Sequence, residues 1–450
     1  MSAPNDELAW LADVARRPWL ARQFAYLRRG GPGYLQSALT LGGGTASACL
    51  LAGAAFRFEL LWVAPLGMLL GGIVFAAIAH QTLSTGMRPF EAMRLHAGPV
   101  FAWGWAIGTV LASIVWHFAQ YSLASAVLVD LFDLAGFTVP RWAMGALVLV
   151  WSVVTSLSFE RESSLRRGVE RLVRWMVWAV VALFGIVALR IGLSDPLGVA
   201  RGFVPTIPDA SHGVEAVPVI LSGLATAVGV NMTFLYPYSL RERGWGREHR
   251  EYAIADIAYG MVLPFVAVTS LIVVVAGATL ADGFSGATIS PVEAARTLGG
   301  LLGPVWGRVA FDLGLMGMLL TTVTLHMVCS GLACSEMFGF ERGSRGHRIA
   351  TLLPTPGVLG SVFWSSLSVW LVVPTSLIAG SLLPLAYLGF LKLQLSDAYL
   401  GADRPRGLRG ALWSGGMLIA TLLVASFVAL YAFDRVPDFL RQLGLLEGAP

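Results

Sequence analysis

Eleven apolar stretches recur along this chain, separated by short connections that carry most of its arginines. A helix needs about 20 apolar residues to cross the hydrocarbon of a bilayer. The stretches fall at 33–55, 60–83, 99–128, 141–158, 172–193, 215–240, 251–279, 304–338, 357–373, 375–394 and 410–433. Little else is left from which to build a water-soluble core, since 56% of the 450 residues are hydrophobic and 13% charged. The mean hydropathy of +0.71 lies well outside the balance of soluble domains. The chain therefore reads as an all-α integral membrane protein whose first partner is the lipid bilayer. The third and eighth stretches are longer than the bilayer requires and should tilt or project beyond it.

Basic residues concentrate on the cytoplasmic side of membrane proteins, which tests the span count. With the N-terminus cytoplasmic, 23 of the 31 Lys and Arg residues fall inside and the remaining 31 − 23 = 8 outside. Miscounting one span would invert every later loop and erase that asymmetry. The expected placement is the cell (inner) membrane, with a cytoplasmic N-terminus and an external C-terminus. The pI near 9.1 follows from these loops and does not mark a nucleic-acid surface. Residues 6–29 have charges interspersed through an amphipathic pattern, not the apolar core of a signal peptide, and predict a helix lying on the membrane surface. Cys49, Cys329 and Cys334 sit inside apolar stretches at spacings that fit neither zinc nor disulfides. No cofactor is expected. Without a nucleophile–base pair or a HExxH-like motif, no catalytic residue emerges, and an enzyme is not expected.

Five spans entering from inside and five repeating them upside down give a five-plus-five inverted repeat with an eleventh span added. The expected divisions are 1–30 (N-terminal amphipathic segment), 31–193 (first repeat), 194–394 (second repeat) and 395–450 (last span and external tail). In such transporters, interrupted helices at matching positions of the two halves mark the substrate site. The first span contains Gly42, Gly43 and Gly44 in mid-membrane, and its counterpart, the sixth, contains Gly229, Asn231 and Pro237. Non-helical backbone at that depth survives only where it lines a cavity or meets a partner. Close helix packing is the rival explanation of the glycines.

The run GPGYLQSALTLGGGTA, the FELLW entry to the second span and the segment TFLYPYSLRERG resemble the Nramp family of proton-coupled divalent-metal transporters. The resemblance spans about residues 31–433 and implies a LeuT-type fold with broken helices 1 and 6. It also implies a metal site between an aspartate-proline-glycine-asparagine motif in the first span and a methionine-proline-histidine motif in the sixth. In this chain the first motif falls on Gly42, Gly43, Gly44 and Thr45, and the second on Asn231, Met232 and Thr233. The family's acidic pair of the third span falls on His117 and Gln120, and a sixth-span histidine on Tyr238. The basic residues of the ninth span are not apparent. The resemblance is thus to the scaffold, with the standard ligands and proton route replaced.

Thr45, Asn231 and Thr233 offer neutral oxygens, whereas manganese and ferrous iron call for anionic or imidazole ligands. No metal ligand is expected among them. A half-helix beginning near Thr45 would instead turn free N–H groups and a positive dipole end toward an anionic group. Gly42, Gly43, Gly44, Thr45, Asn231 and Thr233 are the expected substrate-binding residues, with His117, Gln120 and Tyr238 along a polar pathway. His326 and His80 are further intramembrane histidines. A small polar organic solute is the first expectation for the cargo. A hydrated divalent cation such as Mg2+ is the second, and a sensing or transport-inactive protein the third.

Overall fold

The computed structural model describes residues 4–161, 163–192, 195–286, 303, 305–363 and 381–442. Two helices precede the membrane bundle, α1 (Pro4–Ala15) and α2 (Trp19–Arg29). The sequence predicted one helix here. Pro18 divides it, because a proline disfavours helical backbone in the residue before it. The pair also docks instead of merely floating: Trp10 and Tyr26 meet the Tyr252 ring at centroid distances of 5.4 and 5.1 Å. Trp19, Leu20 and Phe24 stay exposed on the other side, as a membrane-surface helix requires.

The first span is broken into α3 (Gly33–Thr40) and α4 (Gly43–Phe56), which meet at 60°. Next come α5 (Val63–Thr85), α6 (Pro99–Leu134), α7 (Arg141–Arg161) and α8 (Ser163–Ile191). The sixth span is also broken, into α9 (Ala216–Ala227) and α10 (Val230–Glu242). The seventh starts as α11 (Arg250–Asp256), passes through a π turn at Ile257–Val262 and continues as α12 (Leu263–Thr279). The remaining long elements are α13 (Trp306–Phe338), α14 (Leu383–Leu395) and α15 (Gly407–Gln442). Among the described residues, up to nine spans are long and apolar enough to cross a membrane if the bent first pair counts as one, and α14 is a shorter apolar helix. The expected ninth stretch, 357–373, falls mostly outside the described residues, as does the start of the tenth.

α6 and α13 run to 36 and 33 residues, the overlength the sequence predicted. They pack against each other more extensively than any other pair of described elements. The apolar window of α13 is 89% buried and that of α15 only 18%. The centre of the bundle is therefore α13, and the eleventh span is peripheral to the repeat. Polar groups buried in α6 are satisfied locally: Thr109 and Ser113 donate to carbonyls one turn back at 2.9 and 2.8 Å, and His117 Nδ1 lies 2.8 Å from the Ser113 carbonyl. This i−4 bonding keeps a polar stripe tolerable where no water is available.

The GPG sequence is explained by Asp256. The Asp256 carboxylate accepts a hydrogen bond from the Gly33 N–H at 2.7 Å, capping α3. A Cβ at Gly31 would lie 2.5 Å from the carboxyl carbon, and one at Gly33 2.4 Å from the Asp256 carbonyl oxygen. Only glycine lets the two backbones approach so closely.

Ion pairs between separate elements gather at two ends of the bundle. Arg88–Glu336, Arg243–Glu170 and Arg247–Asp403 form at 2.8, 2.7 and 2.7 Å and join loops that the charge count puts on one side. Arg57 pairs with Asp282, and Arg308 with Asp130, among loops assigned to the other.

Candidate functional site

The two helix breaks lie against each other. At the first, Leu41 leaves the helix with ψ 75° and Gly42 is extended. At the second, Val228 and Gly229 are extended. Of the three residues expected to break the sixth span, only Gly229 lies at the interruption. Asn231 and Pro237 fall within α10, which continues through the proline.

A broken helix leaves carbonyls without intrahelical donors, and side chains from neighbouring elements satisfy them. The Thr40 hydroxyl, at the end of α3, lies 2.6 Å from the Thr226 carbonyl and 3.0 Å from that of Ala227, at the end of α9. Thr322 of α13 reaches the Ala38 carbonyl at 3.0 Å, and Thr45 reaches that of Thr40 at 2.6 Å. On the donor side, the Gly43 N–H bonds to Gln120 Oε1 at 3.0 Å.

Between the breaks is a cavity of about 30 Å³, room for roughly two waters at 10–15 Å³ each. Gly42, Gly44 and Thr45 line it from the first break, and Asn231 and Met232 from the second. Trp116 and Gln120 of α6 and Thr322 and His326 of α13 complete the wall. Of the expected substrate-binding residues, Gly42, Gly44, Thr45 and Asn231 line this cavity, and Gln120, expected along the polar pathway, lines it too.

Other expected members stand elsewhere. Gly43 is turned into the packing, where an added Cβ would meet Leu123 and Leu319 at 2.7 and 3.0 Å. Thr233 accepts from Trp105 Nε1 at 2.9 Å and donates to the Val230 carbonyl at 2.6 Å, away from the cavity. Residues two apart on a helix point about 200° from each other, so Asn231 and Thr233 do not face one site. The Tyr238 hydroxyl accepts from the Phe90 N–H at 3.1 Å, two turns along α10 from Asn231. Tyr238 is not among the residues that line the cavity with Gln120. His80 is engaged with the Asp403 carbonyl at 2.8 Å.

His117 stands behind the wall, its ring centroid 5.6 Å from that of His326. Its Nδ1 faces a carbonyl and is therefore the protonated nitrogen. His326 is 3% exposed, and its Nδ1 has no hydrogen-bond partner. The Met232 sulfur accepts from the Gly229 N–H at 3.3 Å. Nitrogen and sulfur donors are thus present beside the neutral oxygens, and no carboxylate lines the cavity. Among the described residues, no three His, Cys, Asp or Glu side chains converge on a common point.

The packing around the glycines is equally specific. A Cβ on Gly44 would lie 2.3 Å from Trp116 Cη2, and one on Gly42 2.8 Å from Gln120 Nε2. The run of three glycines therefore serves close approach as well as the break.

The profile of the family described as Natural resistance-associated macrophage protein-like, Nramp, matches residues 33–430. No curated protein sequence matches the chain. Among solved structures, a histidine-to-alanine mutant of the Eremococcus coleocola manganese transporter superposes with a TM-score of 0.75 at 15% identity, covering 96% of this chain and 93% of the other. The nucleobase-cation-symport-1 family transporter MHP1, closed on bromovinylhydantoin, gives 0.57 at 15% identity over 90% and 93%. MhsT in complex with L-phenylalanine gives 0.54 at 16% identity over 88% and 98%.

Proposed function

The chain belongs to the Nramp family of membrane transporters, and on that premise we propose that it carries a divalent cation, largely stripped of its water, through the cavity between its two broken spans. The observation that carries this reading is the size and lining of that cavity. About 30 Å³ admits an ion with one or two waters, but neither an amino acid nor an intact hydration shell. Bonding of the Gly43 N–H to Gln120 also occupies a donor that an anionic solute would have used. A small polar organic solute, the first expectation from residue types, fits this geometry less well.

The binding residues in this reading are Thr45, Asn231, Gln120 and Thr322, held in place by the packed glycines Gly42 and Gly44. Residues 31–193 and 194–394 act as the two inverted units, with the N-terminus and the arginine-rich loops on the cytoplasmic face. The same-side ion pairs support the grouping of those loops at one end.

The test is uptake into proteoliposomes loaded with a divalent-cation indicator, using Mn2+, Co2+ and Mg2+ in turn and radiolabelled amino acids and small carboxylates in parallel. Saturable entry of at least one cation, reduced by Asn231→Ala, is expected. Saturable uptake of an organic solute with no cation movement would replace this reading with the organic one.

A further inference from the structure

We infer that His326 is a direct ligand of the transported ion, and that its imidazole selects divalent transition-metal ions over Mg2+ and Ca2+. This deepens the cation reading above and rests on it. His326 comes from α13, whereas the motif positions that resemble the family's metal site lie in the first and sixth spans.

Three observations converge on His326. It lines the cavity with Asn231, Met232 and Thr322. It is 3% exposed and its Nδ1 is buried with no hydrogen-bond partner, so no hydrogen bond on that nitrogen holds the ring back from an ion in the cavity. Met232 lines the same cavity and its sulfur accepts from the Gly229 N–H at 3.3 Å, so an imidazole and a thioether residue share one wall. Imidazole and thioether suit borderline and soft ions, whereas Mg2+ and Ca2+ require oxygen.

Cavity size sharpens the choice. Entering a space of about 30 Å³ requires the ion to exchange most of its water for protein donors. Mg2+ dehydrates reluctantly. Co2+, Ni2+ and Zn2+ accept neutral nitrogen readily, and affinity rises from Mn2+ through Co2+ to Ni2+.

The experiment uses the full-length protein in detergent micelles with Co2+ as a spectroscopic probe. Wild type, His326→Gln and His326→Cys are titrated, and Co2+ and Mg2+ are compared for their shift of the melting temperature. Wild type should bind Co2+ at least tenfold more tightly than Mg2+, and His326→Gln should lose at least tenfold in Co2+ affinity while keeping its metal-free melting temperature. In His326→Cys, bound Co2+ should show a thiolate-to-cobalt charge-transfer band that wild type lacks, the wild-type spectrum controlling for the native Cys329, whose Sγ lies 3.6 Å from the Asn231 carbonyl. Should His326→Gln fail to fold, this band in His326→Cys decides the matter alone. Absence of the band with Co2+ still bound overturns the ligation while leaving the cation reading intact. Stabilisation of wild type by Mg2+ equal to that by Co2+ overturns the selectivity, and the absence of any cation binding to wild type overturns both.

Discussion

Alanine at position 44 tests whether the glycine run is a packing device. The new Cβ would stand 2.3 Å from Trp116 Cη2 and 2.4 Å from Cζ3, far inside van der Waals contact. Trp116 is 8% exposed, so its indole has little free space except the cavity it lines. Overpacking of this kind costs about 1–3 kcal/mol. Replacing glycine by alanine in a helix returns up to about 1 kcal/mol, leaving a net loss of about 1 kcal/mol. Phenylalanine at 116 lacks the two crowded rim atoms. The Gly44→Ala/Trp116→Phe double variant should therefore be more stable than the sum of the single losses by about 1–2 kcal/mol. The assay is equilibrium unfolding of wild type, both single variants and the double variant in mixed micelles, read as a double-mutant cycle. Gly44→Ala alone should also weaken ion binding by pushing the indole into the cavity. Additivity within about 0.5 kcal/mol, the range for sites that do not interact, would refute the packing role.

Two further outcomes can be checked on the same preparation. Thr40→Val keeps the side-chain shape but strands the Thr226 and Ala227 carbonyls, so unfolding free energy should fall by about 1–3 kcal/mol, with Thr40→Ser close to wild type; equal stability of all three would remove the latch between the breaks. The hydrogen bond from Arg250 holds the Asp403 carboxyl below the usual carboxylate range. Its stabilisation is therefore present above the ordinary aspartate pKa of about 4 and is lost as pH falls through the lower folded value. Melting curves from pH 7 to pH 3 should show a steeper acid loss for wild type than for Asp403→Asn, and parallel curves would contradict the assignment.

What the sequence made legible was whatever depends on local pattern. Apolar length located the spans, and the arginine asymmetry grouped loops that then ion-pair with one another, as Arg88 does with Glu336. The glycines placed both interruptions within a few residues. Side-chain direction was less legible. Asn231 and Thr233 were assigned together although their helical spacing turns them apart, and Trp105 of α6 claims the threonine. Proline in α10 suggested a break that the helix absorbs. His326 was visible only as an intramembrane histidine, because its place beside Asn231 depends on how α13 packs, and no local periodicity encodes that. Its spacing of one turn from Thr322 in TTVTLH was the available hint, since both line the cavity.

The half-helix α3 has eight residues, about 12 Å at 1.5 Å per residue, and it is pinned at both ends. Asp256 holds its first N–H, and Thr40 ties its last residue to the end of α9. A rod fixed at two points does not fray progressively. Any movement of α3 away from these neighbours would require both pins to release, so its barrier would contain both bonds. Each pin, worth about 1 kcal/mol net, slows that movement about fivefold. The timing of each transport cycle would then be written into a carboxylate outside the cavity and a hydroxyl in its wall.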